Sequence, residues 1–209
     1  MDFEIISGDQ MKLEDKRAIE EYKIPSIVLM ENAAMAFFNQ VKDLANEFVI
    51  VASTGNNGGD GLAIARHLFL NKKSVKVYMV GKKEKMTKDC KINYDILLKL
   101  GIDPIFLDKI NDDLKNDIKD KILIDAIFGT GLSRNVEGFY KELIDLINDE
   151  AKYIVAVDIA SGLNANDGKI MGTCIEADMT ITFHKLKKGI DLADPKYKGI
   201  IFTKYIGIP

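Results

Sequence analysis

The stretch Phe48–Leu70, FVIVASTGNNGGDGLAIARHLFL, dictates a passage from strand to helix through glycine. Phe48–Ala52 is an apolar, β-branched run of the kind that fills a buried strand. Ser53-Thr54-Gly55-Asn56-Asn57-Gly58-Gly59-Asp60-Gly61 interrupts it, and apolar residues then return with helical spacing at Leu62, Ala65 and Leu68–Phe69. A strand, a glycine-rich loop and a helix in that order present bare backbone N–H groups at a helix N-terminus, where they can hold an anion. Four glycines and three polar side chains exceed what a turn needs, so a nucleotide-like ligand is the first expectation. The competing reading is that the glycines only let helix and sheet approach closely.

The loop fits neither common phosphate fingerprint. The dinucleotide pattern requires glycine two residues after Gly55, where Asn57 stands, and the chain has no Gly-Lys-Ser/Thr triplet. An acidic ribose hook after the second strand, Ser74–Val80, is replaced by Gly81-Lys82-Lys83. Asp60 would repel a phosphate, but it can accept hydrogen bonds from ribose hydroxyls or help to hold a cation.

Downstream, strands and helices alternate. Strands are expected at Pro104–Leu107, Lys121–Ala126, Tyr153–Val157, Ala177–Phe183 and Gly199–Tyr205. Helices are expected at Lys88–Leu100, closed by Gly101, and at Asn111–Lys119 and Gly138–Asn148. This rhythm predicts a doubly wound α/β fold, with a mostly parallel sheet covered by helices on both faces. Two helices, Ser7–Tyr22 and Ile27–Leu44, form an N-terminal extension. The second is apolar on most sides, which suits a subunit interface. The 209 residues read as one domain, 1–209, with enough chain to bury a full core. A net charge of −3 offers no electrostatic case for DNA or an anionic membrane. Cys90 and Cys174 fit neither a zinc site nor a disulfide framework, and no run approaches the roughly 18 apolar residues of a membrane helix. The acidic start, Met1-Asp2-Phe3-Glu4, is unlike a signal peptide, so a cytoplasmic, membrane-free protein is expected.

Ligands of an open parallel sheet gather at the carboxyl ends of its strands. Besides the glycine loop, two strand ends carry polar clusters: Asp125 with the loop through Asn135, and Asp158-Ile159-Ala160-Ser161-Gly162. His67 falls on the helix after the glycine loop and reads as structural, whereas His184 follows a strand and could reach the rim. No Cys–His or Ser–His spacing supports a nucleophile. Carboxylates and lysines remain, which suits proton transfer. Oxygen donors from Asn57, Asp125 and Ser161 suit a hard cation, and the lack of clustered soft ligands speaks against zinc or copper.

These motifs together resemble the NAD(P)H-hydrate epimerase family, the YjeF N-terminal domain. The resemblance rests on Gly55–Gly61, on Asp125 with Phe128-Gly129-Thr130-Gly131, and on Val157–Gly162. It extends to Ile24–Ala34, to Thr182-Phe183 with Lys187 and Gly189, and to the closing Ile206-Gly207-Ile208-Pro209. It implies a Rossmann-like homodimer that interconverts the R and S forms of hydrated NADH or NADPH, which are its substrate rather than a cofactor. Asn56, Asn57, Gly58, Gly59 and Asp60, with Gly129, Thr130, Gly131, Leu132, Ser133, Arg134 and Asn135, would line the dinucleotide site. Asp158 would contact the hydrated ring and act as the main acid/base, with Lys187 as the second candidate. Asn57, Asp125 and Ser161 would hold one potassium ion per subunit. An ADP- or ATP-dependent dehydratase would be the functional partner. Ala160 and Leu186 stand where the family usually has proline. The rival reading is a non-catalytic nucleotide- or RNA-binding scaffold on the same fold. A pure scaffold has no need to keep Asn57, Asp60, Asp125 and Asp158 together.

Overall fold

Alternation along the central strand divides the core in two. In β2 (Glu47–Ser53), Phe48, Ile50 and Ala52 point into one apolar cluster while Val49 and Val51 point into another. Both sets are buried, as expected of a strand covered on both faces. The computed structural model describes residues 4–119 and 121–209, so Met1–Phe3 of the acidic start lie outside the described residues. The other strands are β1 (Ile5–Ile6), β3 (Ser74–Val80), β4 (Ile105–Leu107), β5 (Ile122–Ala126), β6 (Tyr153–Val157), β7 (Met179–Phe183), β8 (Leu186–Lys187) and β9 (Ile200–Lys204). Seven of them form one sheet in the order β4-β3-β2-β5-β6-β7-β9, and every pairing is parallel. β1 and β8 make a separate two-stranded parallel ladder, Ile5 opposite Leu186 and Ile6 opposite Lys187.

Helices α1 (Gly8–Glu20), α2 (Ser26–Val41), α3 (Asn56–Leu70) and α4 (Lys88–Lys99) cover one face of the sheet. Helices α5 (Asp112–Lys119), α6 (Phe139–Glu150) and the short α7 (Lys188–Leu192) cover the other. The expected doubly wound α/β fold is therefore the fold found, with element ends shifted by one or a few residues. α1 begins with a capping box, Ser7 Oγ accepting from the Gln10 N–H while Gln10 Oε1 accepts from the Ser7 N–H. α2 buries Leu29, Ala33, Phe37 and Val41, and leaves Val28 and Met35 exposed. Two small elements, the β1–β8 ladder and α7, were not foreseen. Leu186, where proline was expected, donates its N–H to the Glu4 carbonyl at 3.2 Å, a bond proline cannot make.

The glycine run is not a loop. Only Thr54 and Gly55 separate β2 from α3, and Asn56–Gly61 form the first turns of the helix. A Cβ on Gly58 would lie 1.8 Å from the Ser53 carbonyl oxygen, one on Gly61 2.5 Å from Ala126 Cβ, and one on Gly59 2.8 Å from the Met30 terminal methyl. Each glycine within a helix costs roughly 1 kcal/mol relative to alanine. The chain accepts this because α3 could not otherwise lie so close to β2, β5 and α2. Gly58→Ala and Gly61→Ala are expected to lose roughly 1–3 kcal/mol or more by overpacking. Gly131→Ala, with no atom within 4 Å of its Cβ position, should stay within about 0.5 kcal/mol of the parent. Urea midpoints of the three variants check this, and equal losses at all three would refute it.

Candidate functional site

The strand order reverses between β2 and β5, because β3 and β4 lie on one side of β2 and the later strands on the other. A crevice at such a reversal is where open α/β sheets bind ligands. A cleft of about 700 Å³ opens there. Its walls include Asn56, Asn57 and Asp60 of α3, the run Gly129–Arg134 after β5, Asp158 after β6 and Lys187 of β8. The three polar strand ends and the lysine motif thus meet in one place. Gly58 and Gly59 are packed away beneath the helix, and Asn135 is exposed beside Gly172, off the cleft wall.

Asp158 and Lys187 form the centre. Lys187 is 1% exposed, a burial an ammonium tolerates only with strong partners. Its Nζ donates to Asp158 Oδ1 at 2.5 Å and to the Phe183 carbonyl at 2.6 Å. The same Oδ1 also accepts from Thr182 Oγ1 and from the Phe183 N–H, both at 3.1 Å. Asp158 has φ +66°, and across it the Ile159 N–H donates to the Val157 carbonyl at 2.8 Å. His184 repeats the pattern at the end of β7, with φ +65° and Lys185 N–H to Phe183 carbonyl at 2.9 Å. Both are γ-turns of the positive-φ kind, a conformation that costs on the order of 1–3 kcal/mol outside glycine. The first aims a carboxylate into the cleft, and the second bends the chain so that Lys187 returns beneath it.

Asp125, wholly buried at the end of β5, is held differently. Its Oδ1 accepts from Ser161 Oγ at 2.6 Å and from the Ile127 N–H at 3.2 Å, and Oδ2 accepts from the Ser161 N–H at 2.8 Å. Burial pushes this carboxyl up to about 6, against the lowering effect of those hydrogen bonds. No ion pair to Asp125 is found among the described residues. Asn57 stands against Gly129, and its Nδ2 is buried without a partner. The oxygens of the uncompensated Asp125 carboxylate, the Ser161 hydroxyl and the Asn57 amide are hard donors of the kind a cation such as potassium takes, whereas the unpartnered Asn57 Nδ2 is an N–H donor that calls for an acceptor.

The cleft also contains residues that the sequence reading missed. Asp15, from the inward side of α1, lines the cleft with Met11. Burial, then the charge of Asp158, raises Asp15 to about 6 although Lys187 pulls it down. Burial, followed by Asp158 and Asp15, holds Asp60 well above the ordinary carboxylate range. Thr87 Oγ1 is a second buried, unpartnered atom on the wall. Phe128 and Tyr140 add an aromatic wall, their ring centroids 5.1 Å apart. The i, i+4, i+7 spacing of Met11, Asp15 and Ala18 was the available signal for Asp15, since it puts an acid on the buried stripe of α1. The histidines contribute little here. His67 Nε2 lies 2.8 Å from Glu31 Oε1 between α2 and α3, where Glu31 also pairs with Arg66. His184 is off the cleft wall, both ring nitrogens buried without a partner. Both cysteines are buried and free, and burial pushes the Cys90 thiol up to about 12.

Comparisons with known proteins match this architecture. An NAD(P)H-hydrate epimerase of Anaerococcus prevotii is 39% identical over 210 residues, covering 98% of this chain and 95% of its own. The NAD(P)H-hydrate epimerase of Oenococcus oeni is also 39% identical, with 97% and 96% covered. A bifunctional NAD(P)H-hydrate repair enzyme of Thermofilum pendens is 34% identical over 96% of this chain but only 39% of its own length. The crystal structure of a yeast protein superposes with a TM-score of 0.81 at 21% identity, covering 97% of this chain and 87% of that one, which shows the shared fold. The model of the YjeF-related protein N-terminus matches residues 26–189. With that match spanning most of the chain and relatives this similar over nearly their whole length, the chain belongs to the YjeF-related protein N-terminus family.

Proposed function

We propose that this chain is an isomerase that interconverts the R and S epimers of hydrated NADH and NADPH, a repair step for damaged nicotinamide nucleotides. The observation that carries the reading is the buried Lys187–Asp158 pair opening into a cleft of about 700 Å³, on a chain 39% identical to NAD(P)H-hydrate epimerases. That volume lies within the range of small-molecule sites. The first turn of α3 offers its free N–H groups to a phosphate, with Asn56, Asn57 and Asp60 beside them. The run from Gly129 to Arg134 covers the dinucleotide, and the Phe128–Tyr140 wall gives its rings an aromatic surface.

Asp158 is the proton carrier nearest the hydrated ring. One of its oxygens is occupied by Lys187, Thr182 and Phe183, which leaves Oδ2 to the ligand. Lys187 positions Asp158 and balances its charge. Asn57, Asp125 and Ser161 would hold a potassium ion, whose charge would offset the buried Asp125 carboxylate and steady the loop after β5. Residues 1–209 act as one domain, and the exposed apolar Val28 and Met35 of α2 suit a homodimer contact. The bifunctional relatives, of whose length this chain covers 39%, 41% and 40%, favour a working partnership with an ADP- or ATP-dependent dehydratase. No helix among the described residues is long and apolar enough to cross a membrane.

The test uses the isolated R epimer of hydrated NADPH, kept cold, with its conversion to S followed by chromatography. The protein is expected to raise the rate far above the spontaneous one, and Asp158→Asn to lower kcat by roughly 10²–10⁴-fold. Asp158→Asn that loses affinity but keeps the chemical step would refute the assignment. A folded protein that binds the dinucleotide without accelerating the reaction would favour the scaffold reading. The cation is tested through stability. Asp125 is raised from 3.8 to about 6 in the fold, so without a cation its contribution to stability falls as pH rises from about 4 to 6. The loss is on the order of 3 kcal/mol and persists at higher pH. Potassium should therefore raise the melting temperature above pH 6, have little effect near pH 4, and do nothing for Asp125→Asn. An equal potassium effect in both proteins would remove the site.

A further inference from the structure

We propose that Asp15 is the second proton carrier of this cleft, donating to the departing hydroxyl of the hydrated ring while Asp158 takes the proton of the water that replaces it. The inference rests on the epimerase reading above. An epimerisation that proceeds through loss and return of water needs a group that can give a proton as well as one that can take it. Asp158 is placed for taking, because Lys187, Thr182 and the Phe183 N–H all engage Oδ1 and leave Oδ2 open to the cleft. Asp15 is the complement. It is half-buried on the wall of the same cleft, and no hydrogen bond or ion pair among the described residues engages its carboxyl. The groups acting on it are Glu14 of its own helix, Asp158 from the end of β6, Lys187 of β8 and Asp60 of α3. Burial first, then the charge of Asp158 and to a smaller extent Glu14, against the pull of Lys187, places it at about 6, where it gives and regains a proton near neutrality. Asp60 is held well above the ordinary carboxylate range, chiefly by burial and then by Asp158 and Asp15.

The helix bearing Asp15 is fixed in place. β1 pairs with β8 at Lys187 itself, the capping box sets the first turn of α1, and the Asp9 N–H donates to Asn166 Oδ1 at 3.2 Å. The strand pairing at Lys187 therefore also anchors the helix that sets Asp15 on the wall of the same cleft.

The chemistry balances without an oxidant or a reductant. Hydration of an enamine double bond leaves the hydroxyl on the carbon bonded to the ring nitrogen. The Asp15 carboxyl gives its proton to that oxygen, the C–O bond breaks and water leaves, while the nitrogen electron pair closes a C=N bond. Water then adds to the other face, a new C–O bond forms, the pair returns to nitrogen, and the surplus proton passes to Asp158. Exchange with solvent through the open cleft restores both carboxyls.

The experiment measures kcat and KM for the R epimer across pH 5–9 in wild type, Asp15→Asn and Asp15→Glu, with a melting curve for each. Asp15→Asn should lose about 100-fold or more in kcat with little change in KM. It should also lose the alkaline limb near pH 6 and melt no lower than wild type. Asp15→Glu should recover part of kcat with the limb displaced. Wild-type kcat and pH profile in folded Asp15→Asn would overturn the assignment. If Asp15→Asn does not fold, an undisplaced limb in Asp15→Glu overturns it equally. A wild type that binds dinucleotide without turnover overturns the epimerase reading itself, an outcome visible in the wild-type arm alone.

Discussion

Much of this site depends on burying one ammonium group. Lys187 is almost inaccessible, and a charge removed from water costs several kcal/mol unless it is closely paired. Its two acceptors, the Asp158 carboxylate and the Phe183 carbonyl, come from the ends of neighbouring strands. Bringing both to one nitrogen requires two sharp γ-turns, at Asp158 and at His184, in a backbone region that L-residues avoid. The hydrogen bonds converging on Asp158 Oδ1 offset that strain. The lysine then sits on a strand to which β1 adds in parallel, so the N-terminal helix is hung from the same arrangement.

Around this single buried cation stand more carboxylates than it can neutralise. Asp158 is in contact with it, whereas Asp15 and Asp60 feel it only at a distance and feel one another as well. The result is a graded set: one acid held by a partner, one at about 6, one pushed well above its ordinary range. Environments that separate the acidities of neighbouring carboxyls are how a site divides acid from base roles. Asp125, at the end of the neighbouring strand, is excluded from that group and is compensated by Ser161 and backbone N–H groups instead.

The glycine run shows how one pattern can answer two questions. It correctly located a strand-to-helix passage at the binding edge of the sheet, and Asn56, Asn57 and Asp60 do face the cleft. Yet Gly58, Gly59 and Gly61 are there to let α3 touch its neighbours. Sequence alone could not separate the readings, because what matters is the distance from a missing Cβ to an atom remote in the chain. Asn135 belongs to the same lesson: it continues the loop after β5 in sequence but leaves the cleft wall in space.

Local periodicity and turn chemistry determined the alternating elements, the parallel sheet and the three polar strand ends, since those depend on neighbours within a few residues. They also placed Asp125 and Asp158 among the groups to watch, whereas Lys187 stood out only through the family resemblance. Tertiary structure alone decided the β1–β8 ladder, whose two-residue strands carry no period to read. It also decided that Asp15 enters the cleft, and that His184 does not. Burial and charge proximity set the acidities of these groups, and both arise only when segments far apart in the chain are packed together.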